Sequence, residues 1–204
     1  MPSRNIIKEK VAEAYYHVYA RGVNKQKIFY EDSDYKYFLN LFGRYLSEKS
    51  VKSKDGTIYP NYKNQIEILC YCLMTNHFHL LIYQNELPGL EKFMRSLMTS
   101  YSRYFNLKYK RTGPVFESRY KAVRIDSERY LHHISRYIHL NPRFWQQHRY
   151  SSLKYYEQGN EPQWLNISKI LDIFNSRLDY ITFVADYEEM RDILHELKYQ
   201  LADK

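Results

Sequence analysis

The sequence predicts an α+β fold, a ferredoxin-like βαββαβ antiparallel sheet with an additional helix and a helical C-terminal extension. Three observations carry that prediction. Strand-like and helix-like runs alternate in this order between Ala14 and Asn141. The apolar runs "QIEILCYCL" and "HFHLLIY" are joined only by Met74, Thr75 and Asn76, so they pair as an antiparallel hairpin. From Pro88 onward, Leu90, Phe93, Met94, Leu97, Met98, Tyr101, Tyr104 and Phe105 recur at helical spacing, which predicts a long amphipathic helix.

The remaining elements follow in chain order. "AYYHVYARG", Ala14 to Gly22, is aromatic and β-branched and reads as the first strand. Tyr35, Phe38, Leu39, Phe42 and Leu46 then mark a helix starting near Ser33 or Asp34. The polar stretch Ser50 to Asn64, with Asp55-Gly56 and Pro60, reads as a loop or an exposed hairpin. A fourth strand is expected over Tyr120 to Ile125. A further helix follows, capped by Asp126 or Ser127 and stopped at Pro142. Beyond Trp145 the chain reads as loop and helical pieces, including "LNISKILDIFN" and the mixed-charge "DYEEMRDILHELKYQ". This organisation gives a main domain over 1–156 and a helical extension over 157–204.

Composition limits the function classes. A chain of 204 residues with 44% apolar residues buries a core without disulfide or structural metal. No apolar run reaches the roughly 20 residues of a membrane span, and the start lacks a signal-peptide pattern, so no membrane partner and a cytoplasmic location are expected. Cys70 and Cys72 have no CxxC partner elsewhere and read as reduced core thiols. The formal charge of +8 suits a polyanion, and 23 tyrosines supply rings able to stack on unpaired bases.

One motif points to chemistry. In "YCLMTNHFHLLIY", His77 and His79 are two apart on a strand and project from one face, while Phe78, Leu80 and Ile82 face the core. Two imidazoles so placed can share a divalent ion, although an arbitrary HxH is more often a pair of half-buried, hydrogen-bonded histidines. The helix ending in "RYIHLNP" offers what the pair lacks. Tyr137 and Asn141 are four apart, and this helix is free to cover the sheet face that the histidines occupy. Asn141 would complete the ligand set and Tyr137 would bring a hydroxyl beside the ion.

"NHFHLL" matches the histidine-hydrophobic-histidine (HUH) signature of single-tyrosine nucleases. Together with "YHVYARGVNKQKIF", "FMRSLMTSYSRYFN", "GPVFESRYKAVRIDSERYL" and "SRYIHLNP", it resembles the REP-associated tyrosine transposases of the HUH single-tyrosine superfamily over roughly Tyr16 to Tyr156. The resemblance implies a metal-dependent single-stranded DNA endonuclease and strand transferase. Tyr137 would be its nucleophile, forming a 5′-phosphotyrosine intermediate, with His77, His79 and Asn141 as metal ligands. It further implies Mg²⁺ or Mn²⁺, a hairpin-forming single-stranded DNA partner, a monomer or homodimer, and a bacterial cytoplasmic protein associated with the nucleoid when bound to DNA. Thr75 stands where proline is usual before Asn-His, "NPRFWQQ" replaces a more typical run, and the 50–64 loop is longer than usual.

The residue types suit that chemistry. A phenol with a pKa near 10 needs activation to attack, yet it leaves more readily than an aliphatic alcohol, so a phosphotyrosine bond can be reversed by a DNA 3′-OH without ATP. Two imidazole ligands lean towards Mn²⁺ over Mg²⁺. Arg21, Arg95, Arg103, Lys108, Lys110, Arg111, Arg119, Lys121 and Arg124 are candidate phosphate contacts. Two other readings compete: a catalytically inactive nucleic-acid-binding module on the same fold, and a zinc hydrolase, which lacks an evident third ligand.

Overall fold

The computed structural model describes residues 11–186; most of the charged helix expected over "DYEEMRDILHELKYQ" lies outside them. The elements are β1 (Ala14–Arg21), α1 (Asp32–Leu46), β2 (Ile66–Met74), β3 (His77–Gln84), α2 (Gly89–Lys108), β4 (Lys121–Ile125) and α3 (Glu128–His139). The sheet order is β2-β3-β1-β4 and every pairing is antiparallel, the expected split βαβ arrangement.

One sheet face is sealed by α1 and α2. Phe38 packs on Phe78 with ring centroids 5.1 Å apart, and Tyr101 on Phe116 at 6.2 Å. The N-terminus of α1 is tied to the end of α2 through Asp34, which is fully buried. Its carboxylate accepts from the Tyr30 amide at 2.8 Å, the Tyr109 hydroxyl at 2.7 Å and the Lys108 ammonium at 2.6 Å. A buried carboxylate demands such partners, and meeting that demand fixes how the two helices sit.

Gly22 closes β1 next to the hairpin turn. Its amide donates to the Asn76 carbonyl at 2.8 Å, and a Cβ there would press into the Gln26 carbonyl oxygen. Only glycine fits where the chain after β1 folds back this closely on itself. The 50–64 segment is an exposed hairpin with a single Lys52–Ile58 bridge, its tip made by Gly56 at φ 85°.

The second sheet face carries α3 and the segment beyond it, with α4 (Leu153–Gln158), α5 (Ser168–Leu171) and α6 (Arg177–Ala185). Bridges Cys72–Ser151 and Ile68–Leu165 cover the open edge of β2, a device that withholds unpaired backbone groups from other chains. Tyr156, Leu165, Ile170, Tyr180 and Val184 join the same buried cluster as the sheet. The helical stretch expected over "LNISKILDIFN" shrinks to the single turn of α5. Its start is held extended, because the Asn166 amide donates to the Ile68 carbonyl of β2 at 2.8 Å. Cys70 and Cys72 are free and buried, and burial pushes the Cys70 thiol up to about 12. Among the described residues, no helix is long and apolar enough to cross a membrane.

Candidate active site

Sheet register puts the histidines side by side. Arg21 pairs with His77, Tyr19 with His79 and His17 with Leu81 across β1 and β3, so the odd-numbered residues of both strands share the face beneath α3. The rings of His77 and His79 lie 5.0 Å apart at 89°. His77 Nδ1 is 2.7 Å from the side-chain oxygen of Asn76, and its Nε2 is 3.2 Å from Asn141 Oδ1. In one tautomer His77 donates from Nε2 to Asn141; in the other it donates from Nδ1 to Asn76 and turns a lone pair on Nε2 towards Asn141 Oδ1. In that second tautomer two acceptors face each other, an arrangement suited to a cation between them. The spacing fits as well: donor atoms on adjacent vertices of an octahedron with bonds of about 2.1 Å lie about 3 Å apart.

His79 is 4% exposed, and its Nδ1 lies 2.9 Å from Nε2 of His17, which leaves Nε2 as the nitrogen that could ligate an ion. Burial, followed by the proximity of His17, His77 and Arg21, holds its imidazole well below the ordinary histidine range. The ring therefore stays neutral, the form in which imidazole ligates a metal. Among the described residues no three His, Cys, Asp or Glu side chains converge as a metal site, so an ion placed here would have two imidazoles and a carboxamide as its protein donors.

Helix α3 supplies that carboxamide. Ser127 caps it, accepting from the Tyr130 amide at 3.3 Å, and Leu131, Ile134 and Ile138 bury its apolar stripe against the sheet. Pro142 prevents continuation, so the helix ends at His139 with Leu140 as its cap. Asn141 sits just past the last turn instead of on it. Tyr137 is buried at 5% exposure, its ring edge-on to His79 at 5.5 Å and to His17 at 5.8 Å. Tyrosine, carboxamide and both histidines thus meet within one chain.

His139, two residues after Tyr137, holds the helix from its other side. It is fully buried; its Nε2 bonds the Ser152 hydroxyl and its Nδ1 the Tyr180 hydroxyl, each at 2.7 Å. Ser152 in turn accepts from the Tyr71 amide of β2 at 2.9 Å. The segment after α3 therefore fixes the helix that carries Tyr137. This network was not visible in the sequence, where Ser152 and Tyr180 stand among many hydroxyl residues.

The candidate phosphate-binding residues separate into groups. Arg95, Arg103, Lys110, Arg111 and Arg119 line a groove of about 1060 Å³ between α2 and the segment leading into β4, with Met94, Met98 and Tyr120 among its apolar walls. Lys121 and Arg21 belong to the histidine face, where the Lys121 ammonium lies 5.6 Å from the Tyr19 ring centre. Arg124 is exposed on β4. Lys108 is committed elsewhere: its ammonium is held 2.5 Å from Glu31 and 2.6 Å from the buried Asp34, which makes it a structural tie between helices.

Residues 10–141 match the family model of IS200-like transposases, a stretch that contains His77, His79, Tyr137 and Asn141 and ends on the last of them. The chain belongs to the IS200-like transposase family. Among solved structures it is similar to a REP-associated tyrosine transposase bound to a REP hairpin, with TM-score 0.50, 12% identity, and 78% of this chain and 89% of that chain covered. A Deinococcus radiodurans protein named as a candidate transposase matches with TM-score 0.41 and 14% identity over 65% of this chain and 93% of its own. No curated protein matches the sequence. At 12% identity the likeness to the REP-associated transposase is one of fold, the same α+β sheet that the transposase family model spans.

Proposed function

We propose that this IS200-like transposase is a metal-dependent, single-stranded DNA endonuclease and strand transferase with Tyr137 as nucleophile, acting beside hairpin-forming repeats. The observation that supports it most is the convergence of Tyr137 and Asn141, from the end of α3, on His77 and His79 of the same chain. The Tyr137 oxygen attacks the scissile phosphorus. A bond forms between phosphorus and the phenolic oxygen, and the bond from phosphorus to the 3′-oxygen breaks. The phenol loses its proton and the departing strand end takes one up as a 3′-OH. The 5′-phosphate stays on the tyrosine until another 3′-OH reverses the exchange.

His77, His79 and Asn141 would hold Mn²⁺ or Mg²⁺, which when bound supplies a Lewis acid for phosphate oxygen charge. The chain's own part is to keep the His79 imidazole neutral by burial, to present the carboxamide from just past the helix end, and to seat Tyr137 edge-on beside the histidines. The test is a hairpin-flanked single-stranded DNA labelled at its 3′ end. With Mn²⁺, the label is expected to migrate with the denatured protein, and chelation should abolish the adduct. Binding that never yields an adduct in either metal would instead identify a non-catalytic nucleic-acid-binding protein.

DNA reaches the site across the β4 edge. Tyr120 faces the basic groove, while its neighbour Lys121 stands on the histidine face, so a strand passing over this edge exchanges one cation set for the other. Arg103, Lys110 and Arg119 are exposed in that groove. Changing all three to alanine is expected to weaken single-strand binding and to flatten the slope of log affinity against log salt by about 2, roughly 0.7 per lost phosphate contact. Affinity titrations at several salt concentrations check this; an unchanged slope would place the DNA elsewhere.

A further inference from the structure

His17 is the one histidine on the catalytic face that this reading leaves without a task. It is fully buried on β1, its ring stacked on His79 with centroids 5.0 Å apart at 15°. Its Nε2 lies 2.9 Å from His79 Nδ1, and its own Nδ1 is buried without a hydrogen-bond partner among the described residues. Equally buried His139 has both ring nitrogens satisfied, so this fold can complete a buried imidazole. An orphaned buried polar atom is costly, and an apolar side chain of similar shape would avoid that cost.

Proton counting explains the cost. Only one proton fits between His17 Nε2 and His79 Nδ1. If His17 donates it, neutral His79 carries its own proton on Nε2 and has no lone pair for a metal. If His79 donates it, Nε2 of His79 is free to ligate, and neutral His17 must carry its proton on the unpartnered Nδ1. The second arrangement leaves an unsatisfied N–H inside the protein and is the one that a metal centre requires.

We infer that His17 is a positioning residue: it accepts the His79 Nδ1 proton when metal binds, fixing His79 in the tautomer that turns Nε2 to the ion. This rests on His77, His79 and Asn141 being the metal ligands. Metal capture then reverses the donor in one buried hydrogen bond, with each ring moving its proton between its own nitrogens and none released to solvent.

Mn²⁺ titration calorimetry on the full chain tests the role. His17→Phe keeps the ring volume but offers no acceptor, and should weaken Mn²⁺ binding about 10- to 100-fold, the usual cost of losing such an outer partner. His17→Gln can place an amide oxygen near the lost Nε2 and should recover most of the affinity. Without metal, His17→Phe should melt no lower than the wild type, because it removes a buried ring nitrogen that has no partner among the described residues. A purely structural role would lower melting temperature and affinity together and would show no recovery in glutamine.

Long-range ¹H–¹⁵N correlation spectra with diamagnetic Zn²⁺ read the tautomers directly, and both His17 and His79 are expected to be protonated on Nδ1. Unchanged affinity in His17→Phe, or a Zn²⁺-loaded His79 bonded through Nδ1, would overturn the assignment while leaving the metal centre intact. A wild type that binds neither ion would overturn the centre and this role with it.

Discussion

Tyr137→Phe is expected to eliminate the covalent DNA adduct and to lower strand cleavage by about 10³-fold or more, while binding to hairpin-flanked single strands stays within about 2-fold. The substitution removes only the oxygen that would form the new bond to phosphorus. The phenyl ring keeps its edge-on place beside His79 and His17, and Leu131, Ile134 and Ile138 continue to seat the helix. The rival for the same role is Tyr19, which stacks on His79 with centroids 5.7 Å apart and is 7% exposed. It belongs to the rigid centre of the sheet, whereas Tyr137 comes from the helix that also brings Asn141. Denaturing gels on Tyr137→Phe, Tyr19→Phe and Tyr130→Phe separate these options. An adduct that survives in Tyr137→Phe and vanishes in Tyr19→Phe would move the nucleophile to β1.

Much of this site was legible because it rests on short-range periodicity. The two-residue period of a strand places His77 beside His79, and one helical turn brings Asn141 near Tyr137. Both rules hold before any tertiary contact is known. Alternation also placed Phe78, Leu80 and Ile82 under α1 and α2, which left the opposite face for α3. The helix end departed from the simple rule: Pro142 stops the helix early, and the amide works from beyond its cap.

What stayed hidden depends on pairing between distant segments. The bond from His17 to His79 spans 62 residues, and its geometry comes from the β1–β3 register. Nothing local distinguishes His17 from a packing residue, and only the pairing of β1 with β3 sets it beside His79. Lys108 shows the converse. Its sequence neighbours Lys110 and Arg111 suggested a phosphate-binding run, but the fold brings up the buried carboxylate of Asp34, which claims the ammonium. Residues beyond Tyr156 read as an appendage because their helical signals are weak, yet Tyr180 reaches His139 and completes the support of α3.

The same buried imidazoles that prepare the site make the metal-free fold acid-sensitive. Burial holds His17 and His139 down at about 3, and His79 is displaced in the same direction. Unfolded histidine titrates near 6.5, so between that value and 3 the unfolded chain binds protons that the folded chain refuses. Stability is therefore complete above about pH 6.5 and is lost progressively as pH falls towards 3. At pH 5 each of His17 and His139 is expected to cost about 2 kcal/mol, so the pair removes about 4 kcal/mol, a large share of the about 5–15 kcal/mol that holds a typical domain together. Urea unfolding at pH 7, 6 and 5 in the presence of a chelator measures this directly. His139→Phe sharpens the test: it forfeits the bonds to Ser152 and Tyr180 and starts less stable at pH 7, yet it should lose about 2 kcal/mol less than the wild type between pH 7 and pH 5. A wild type equally stable at both pH values would mean that these buried rings accept protons in the folded state, and the case for a neutral, metal-ready His79 beside Tyr137 would fall with them.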